Sequence, residues 1–305
     1  MANELQPLSL LFQNRLFRIP DYQRGYAWQQ SQLADFWDDL INLQDGRYHY
    51  TGLLSLKNLK SSETTSWGSD LWMVSKGYKP CHIVDGQQRL TTVSLMFLAM
   101  YNLINGGVIV QKDASLGKQI YEDFLVDKYQ PEETRIKLKP VKNDQKAFGK
   151  LFDSVDEHIR ESNLTANYNY FYERIQKQEI TIDELFDAIC SLEIINITLN
   201  NEDNPQLIFE SLNSTGLDLS EGDKIRNFIL MGLPSKEQDE YYDKYWNHIE
   251  ECTKYDVSSF VRDYLSVKQL AIPSQKKIYI SFKEYVEQQS IGTEELLKEL
   301  LAYAK

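Results

Sequence analysis

The feature that most constrains this chain is the run His82-Ile83-Val84-Asp85-Gly86-Gln87-Gln88-Arg89-Leu90-Thr91-Thr92, which continues into Val93-Ser94-Leu95-Met96-Phe97-Leu98-Ala99-Met100. Ile83 and Val84 are β-branched, Gly86 permits a backbone that a Cβ would block, and the apolar residues from Leu90 onward recur at helical spacing. The run predicts a short buried strand, a polar turn and a buried helix. Its polar cluster then sits at a helix N-terminus, where unpaired amides and the positive end of the helix dipole favour an anion, and Arg89 adds a bidentate phosphate or carboxylate donor. The simpler alternative is that Asp85 only caps the helix. These residues alone leave both readings open.

The chain has 305 residues, enough for one large domain or two ordinary ones, and a 42% hydrophobic fraction with 19 Tyr, 13 Phe and 5 Trp supports packed cores. The formal net charge of -12 opposes general attraction to nucleic acid, so any such contact has to be a local basic site. Cys81, Cys190 and Cys252 are odd in number and widely spaced, which fits neither a disulfide framework nor a zinc site. No metal-ligating cluster is expected. The N-terminus lacks a charged segment followed by an apolar one, and the apolar run Leu95 to Met100 is far too short to span a bilayer. The expectation is a cytoplasmic protein without a membrane partner.

Ahead of the central run, Ile19-Pro20-Asp21-Tyr22-Gln23-Arg24-Gly25-Tyr26-Ala27-Trp28 reads as a structured loop, because Pro20 favours an extended Ile19 and Gly25 marks a turn. Tyr22, Tyr26 and Trp28 suit either a ligand site or a cover over the sheet, whereas Arg24 favours a ligand. Leu33, Phe36, Trp37 and Leu40 predict a helix capped by Ser31, with Asp35, Asp38 and Asp39 on its solvated faces. Tyr50 to Leu56 predicts a strand with a bulge or close approach at Gly52, and Lys60 to Ser69 a hairpin excursion or mobile loop.

Beyond Gly106-Gly107, Leu116 to Val126 predicts an amphipathic helix and Arg135 to Lys139 a half-buried strand closed by Pro140. Lys137, Lys139 and Lys142 read as a solvated basic face. Helices are predicted from Asn143 to Phe152 and from Tyr168 to Ile175, and one opened by the capping box Thr181 to Glu184 runs through Cys190. A strand follows at Glu193 to Leu199.

A second informative stretch runs from Asn204 to Phe228: Pro205 suits a first helical position, Gly216 a left-handed residue after a helix, and Ser220 with Asp223 a cap. Its turn displays Asn213, Ser214 and Thr215. From Lys236 onward the chain reads as helical, with Tyr241, Tyr245, Trp246, Phe260, Tyr264 and Leu265 at core spacing.

Three elements taken together resemble one known family: Ile19-Pro20-Asp21-Tyr22-Gln23-Arg24 with Trp28, Val84-Asp85-Gly86-Gln87-Gln88-Arg89-Leu90-Thr91-Thr92, and Phe209-Glu210-Ser211-Leu212-Asn213-Ser214-Thr215-Gly216 with Asp223. They are similar, in order and spacing, to the N-terminal domain of GmrSD-type modification-dependent restriction endonucleases. The resemblance implies an α+β fold: a ParB/sulfiredoxin-like domain with a small mixed β-sheet and packed helices at 1-232, carrying a helical insertion, then a mostly α-helical region at 233-305. It implies binding and hydrolysis of a nucleoside triphosphate, GTP or ATP with Mg²⁺, and a part in sensing modified DNA. The implied partner is a nuclease domain of the His-Asn-His type, either C-terminal to this region or on a separate subunit. The chain's abrupt end fits the regulatory half of such a system. A homo-oligomer is left open.

The resemblance assigns catalytic roles to Asp85, Gln87, Gln88 and Arg89, and nucleotide contacts to Gln23, Arg24, Tyr26, Gly86, Thr91, Asn213 and Asp223. The amides from Gly86 to Gln88 and the Arg89 guanidinium would hold the phosphates, and Asp85 would share Mg²⁺. Gln87 or Gln88 would orient the attacking water. Sulfiredoxin chemistry needs a cysteine in the turn, where this chain has Gln, and Cys81 lies on the preceding strand. Two alternatives remain: a non-hydrolysing nucleotide- or modified-DNA-binding module that regulates a nuclease, and, last, a ParB-like nuclease using Asp218 and Asp223.

Overall fold

The structure, a computed structural model, describes residues 2–43, 49–65, 67–127, 129, 136–199, 203, 206, 208–209 and 219–305. Asn213, Asp218, Gly216 and the rest of 210–218 in the second informative stretch lie outside the described residues. The chain forms two compact units, Met1–Ile19 with Gly25–Asp203, and Pro20–Arg24 with Asn204–Lys305.

The first unit is a mixed α+β body. Its strands are β1 (Ala2–Pro7), β2 (Arg15–Arg18), β3 (His49–Asn58), β4 (Lys79–Asp85), β5 (Leu138–Lys139) and β6 (Leu192–Leu199), in the sheet order β1-β6-β3-β4-β2-β5. The β1/β6 and β3/β4 pairs are antiparallel, whereas β6/β3, β4/β2 and β2/β5 are parallel. The helices are α1 (Leu8–Leu11), α2 (Gln30–Ile41), α3 (Leu71–Ser75), α4 (Gln87–Asn105), α5 (Leu116–Gln119), α6 (Lys142–Lys150), α7 (Asn163–Gln176) and α8 (Ile182–Cys190).

Strand alternation divides the sheet's two faces. Phe17, Leu54, Leu56, Cys81, Ile83 and Ile194 enter the main core, which α4 shares with Leu90, Val93, Met96, Phe97 and Met100. Because α4 is buried on nearly every side and packs on α7, it forms the axis of the unit. On the other face, Leu16 joins Leu59, Trp67, Met73 and Tyr78 in a smaller cluster.

That smaller cluster corrects the expectation of a hairpin or mobile loop at Lys60 to Ser69. The segment forms two short 3₁₀ turns, Ser61–Glu63 and Gly68–Asp70, and buried Trp67 anchors it. Trp67 stacks on His82 with centroids 5.9 Å apart, and the Arg18 guanidinium lies 5.0 Å from the Trp67 ring. The stretch is polar in composition, but one large apolar residue is enough to fix it to the sheet.

Other corrections are local. Helix α2 starts at Gln30, one residue ahead of Ser31, because Gln29 and Gln32 form the capping box, with the Gln29 amide donating to Gln32 Oε1 at 2.7 Å. The predicted helix from Leu116 to Val126 is the short α5 followed by a π turn, Ile120–Leu125. Of the basic face at 137–142, Lys142 is exposed as expected, but Lys137 and Lys139 are not solvated. Lys137 is only 3% exposed and donates to Glu122 O at 2.8 Å and Asp123 O at 2.7 Å, satisfying carbonyls of the π turn, and Lys139 pairs with Asp70 at 3.0 Å. The capping box at Thr181, the β6 strand and the break at Gly106-Gly107 form as expected.

The second unit contains the helices Glu221–Leu230, Ser235–Tyr241, Asn247–Cys252, Val257–Gln269, Ile278–Gln289 and Thr293–Ala304, with a π turn at Tyr242–Trp246. Tyr245, Trp246, Tyr264 and Leu265 are buried, as their helical spacing requires. The compact units divide at residue 203, and the helical one also takes in Pro20–Arg24.

Burial holds the His82 imidazole well below its ordinary range, at about 3, with Arg18 and Lys57 adding to the effect. A histidine depressed in the folded state is protonated more readily when unfolded. Its contribution is therefore intact above pH 6.5 and declines as pH falls from 6.5 toward 3, by about 1.4 kcal/mol per pH unit. Urea titrations across that window should give a shallower stability slope for His82→Phe than for the wild type.

Candidate functional site

The β4–α4 turn owes its shape to Gly86, whose φ of +93° few side chains tolerate. A Cβ there would lie 2.7 Å from Leu54 Cδ1 and 3.1 Å from Leu53 O, so the turn presses directly on β3. Gly86 is also the N-cap of α4, and no side chain caps the helix there. Asp85, the residue expected to cap it under the simpler alternative, lies on the strand before the cap. Leu90 N donates to Gly86 O at 3.1 Å as the first helical bond, which leaves the amides of Gln87, Gln88 and Arg89 in the helix's uncapped first turn.

Arg89 follows the same contact with β3. Its Nη1 donates to Leu53 O at 2.5 Å, and its guanidinium carbon would lie 3.0 Å from a Cβ on Gly52, a glycine with φ +114°. The β3/β6 register shifts between Tyr50 and Leu53, so the bulge expected at Gly52 is present and makes room for the arginine. Gly86 and Arg89 thus converge on one carbonyl, that of Leu53.

Gln88 is 8% exposed and holds the loop before α2. Its Oε1 accepts from Ala27 N at 2.7 Å and its Nε2 donates to Gly25 O at 3.0 Å. Both ends of the carboxamide are therefore committed to backbone. Tyr26 N donates to Asp144 Oδ2 at 2.7 Å, and the Tyr26 phenol meets Thr92 Oγ1 at 2.7 Å and accepts from Asn167 Nδ2 at 3.2 Å. Asn163 and Asn167 both donate to Trp28 O, at 2.9 and 2.8 Å. Burial raises the Tyr26 phenol to about 12, so it stays protonated, and burial likewise raises the Asp144 carboxyl, against the pull of the Tyr26 amide.

The sequence-predicted residues divide between the units. Asp85, Gly86, Gln87, Gln88 and Arg89 form the turn, with Tyr26 attached through α4 and Thr91 buried one helical turn on. Gln23, Arg24 and Asp223 belong to the helical unit. In that unit Arg226 is the organising residue. Its Nε donates to Tyr22 O at 2.6 Å, its Nη1 to Glu250 Oε1 at 2.5 Å and its Nη2 to Asp223 Oδ1 at 2.7 Å. Trp246 Nε1 also donates to Glu250 Oε1, at 2.9 Å, and Asp223 Oδ2 accepts from Ser220 at 2.8 Å. Asp223 therefore serves a helix cap and an ion pair. Its three-residue spacing from Arg226 was the available signal. For Asn163 and Asn167 the signal was their four-residue spacing on one helix face.

A mixed α+β domain with a strand, a glycine turn and an uncapped buried helix carrying Asp-Gly-Gln-Gln-Arg is the class that this geometry defines. The chain belongs to the family described as the N-terminal domain of GmrSD restriction endonucleases, whose family model matches residues 8–230. It is therefore a component of a restriction endonuclease system. No curated protein matches the chain. Among the described residues no helix is long and apolar enough to cross a membrane.

Gln88→Ala should leave Gly25 O and Ala27 N unpaired and destabilise the unit by about 1–3 kcal/mol, read as a lower urea midpoint with faster amide exchange at Ala27. Arg226→Ala strands the buried Glu250 carboxylate, and equilibrium unfolding should show a loss of about 3–5 kcal/mol that Arg226→Lys does not fully restore.

Proposed function

We propose that the β4–α4 turn binds the phosphates of a nucleoside triphosphate, GTP or ATP carried with Mg²⁺, and hydrolyses it. The domain would couple that turnover to the sensing of modified DNA by a nuclease partner of the His-Asn-His type. The observation that carries the reading is the N-terminus of α4. A 19-residue helix begins at a left-handed glycine that brings no side-chain cap to its first turn, which is the donor arrangement a phosphate needs. A capped terminus would have had those donors satisfied already.

The residues then take distinct parts. The amides from Gly86 to Gln88 receive phosphate oxygens, and Arg89, braced on Leu53 O, faces the charge that develops as the terminal phosphate is transferred to water. Gln87 is the better of the two glutamines for orienting that water, since the Gln88 carboxamide already holds Gly25 and Ala27. Gln88 acts as a positioning residue. Asp85 is the carboxylate beside the turn that suits the Mg²⁺ of the bound nucleotide. With a chain charge of -12, a contact with DNA is confined to a local basic site.

The engagement of Gln88 also favours a second reading, nucleotide binding without turnover, because one of the two candidate water-orienting amides is occupied. Phosphate release measured with Mg²⁺, with and without modified DNA, separates the two. For hydrolysis, Arg89→Ala should lower turnover on the order of a hundredfold, and Gln87→Ala should lower turnover while leaving calorimetric affinity for a non-hydrolysable analogue unchanged. Affinity without turnover would establish the sensing-only module, and absence of both would remove the phosphate site.

A further inference from the structure

We propose that the sheet unit carries a second binding site, a cleft of about 410 Å³ at the N-terminal ends of β2 and β4, for an uncharged planar heteroaromatic ligand of the nucleobase class. Asn14 immediately precedes β2 and Tyr78 immediately precedes β4, whereas the Gly86 turn follows β4 at its other end. Seven residues of strand put the cleft about 20 Å from that turn. The two sites are therefore separate.

Irregular backbone builds the cleft. Asn14 holds a positive φ of 52°, and the π turn Ile120–Leu125 brings Asp123 and Phe124 to one wall. Both are conformations that cost energy and that recur where a chain shapes a site. A volume of this size lies within the range of small-molecule pockets.

The charges exclude an anion. Lys137 is the cation of the floor, but its ammonium is held by Glu122 O and Asp123 O and lies 5.6 Å from the centre of the Tyr78 ring. It braces the wall and is not presented as a phosphate donor. The exposed Asp123 carboxylate at the rim repels phosphate further.

The remaining groups suit a flat ring with a polar edge. Buried Phe124 and half-buried Phe186 offer aromatic surface. Around them the exposed carboxamides of Gln13, Asn14 and Gln119 each set a donor beside an acceptor, the pattern that pairs with the amide or amidine edge of a base. Asp123 accepts from an exocyclic amino group. A sugar, with hydroxyls around its whole perimeter, would leave several of them facing the two phenylalanines unpaired. The same base could come from a free nucleoside or from a nucleic-acid strand. The rim carboxylate and the chain's charge of -12 favour the free molecule.

Calorimetry and saturation-transfer NMR on the whole chain test this with adenosine, guanosine, cytidine and thymidine, their 5′-monophosphates and a short single-stranded oligonucleotide. At least one nucleoside should bind, with its monophosphate no tighter. Asp123→Ala should weaken that binding about tenfold. Gln13→Trp, an exposed change that plugs the mouth, should abolish it while circular dichroism and the urea midpoint stay at wild type. Arg89→Ala, at the other end of β4, should leave it unchanged. Absence of binding by all four nucleosides, binding indifferent to both cleft variants, or tighter binding of the monophosphates or the oligonucleotide to Arg89→Ala protein, whose phosphate turn is disabled, would overturn the assignment.

Discussion

One buried carboxamide, that of Gln88, holds the loop before α2 to the first turn of α4. The chain leaves the sheet unit after Ile19 and re-enters it at Gly25, so the point of re-entry needs an anchor. Gln88 supplies it with one donor and one acceptor, to Gly25 O and Ala27 N, and Asp144, Asn163 and Asn167 fix the residues that follow. A side chain with a single polar function could satisfy only half of this. The amide fits because buried backbone groups of both kinds have to be paired.

The neighbouring turn depends on absence of side chains at two places. Gly86 lets the chain press against β3, and Gly52 leaves the space that Arg89 occupies beside the same strand. The result is an uncapped helix terminus with an arginine braced next to it, at the end of a strand buried within a mixed sheet. Membership in the GmrSD N-terminal family connects this turn to a restriction system. The phosphate chemistry proposed for it rests on the first-turn amides that Gly86 leaves without a side-chain cap.

Elsewhere, polar residues are used to close the structure. His82 is kept neutral between Trp67 and the sheet. Lys137 completes the carbonyls of a π turn, and Arg226 joins Tyr22, Asp223 and Glu250 within the helical unit. Lys137 and Arg226 are buried with their hydrogen bonds supplied, since leaving either unpaired would cost more than the group contributes. This is also why motif residues cannot be assigned to chemistry by type alone: Gln88 and Asp223 both have structural partners.

The sequence by itself determined the elements whose signal is local. The β4 strand, the Gly86 turn, the α4 helix, the Thr181 capping box and the Gly52 bulge follow from side-chain period, φ preference and capping over a few residues. The order of three short motifs was enough to point to the family. Only the tertiary structure decided which polar groups are occupied. Gln88 reaches residues about sixty positions away, Lys137 turns inward to a π turn that no periodicity announces, and Pro20–Arg24 joins helices near the far end of the chain. The physical reason is that a hydrogen bond between distant segments is set by packing, and a sequence pattern records only which residue is able to make it, not whether a partner arrives.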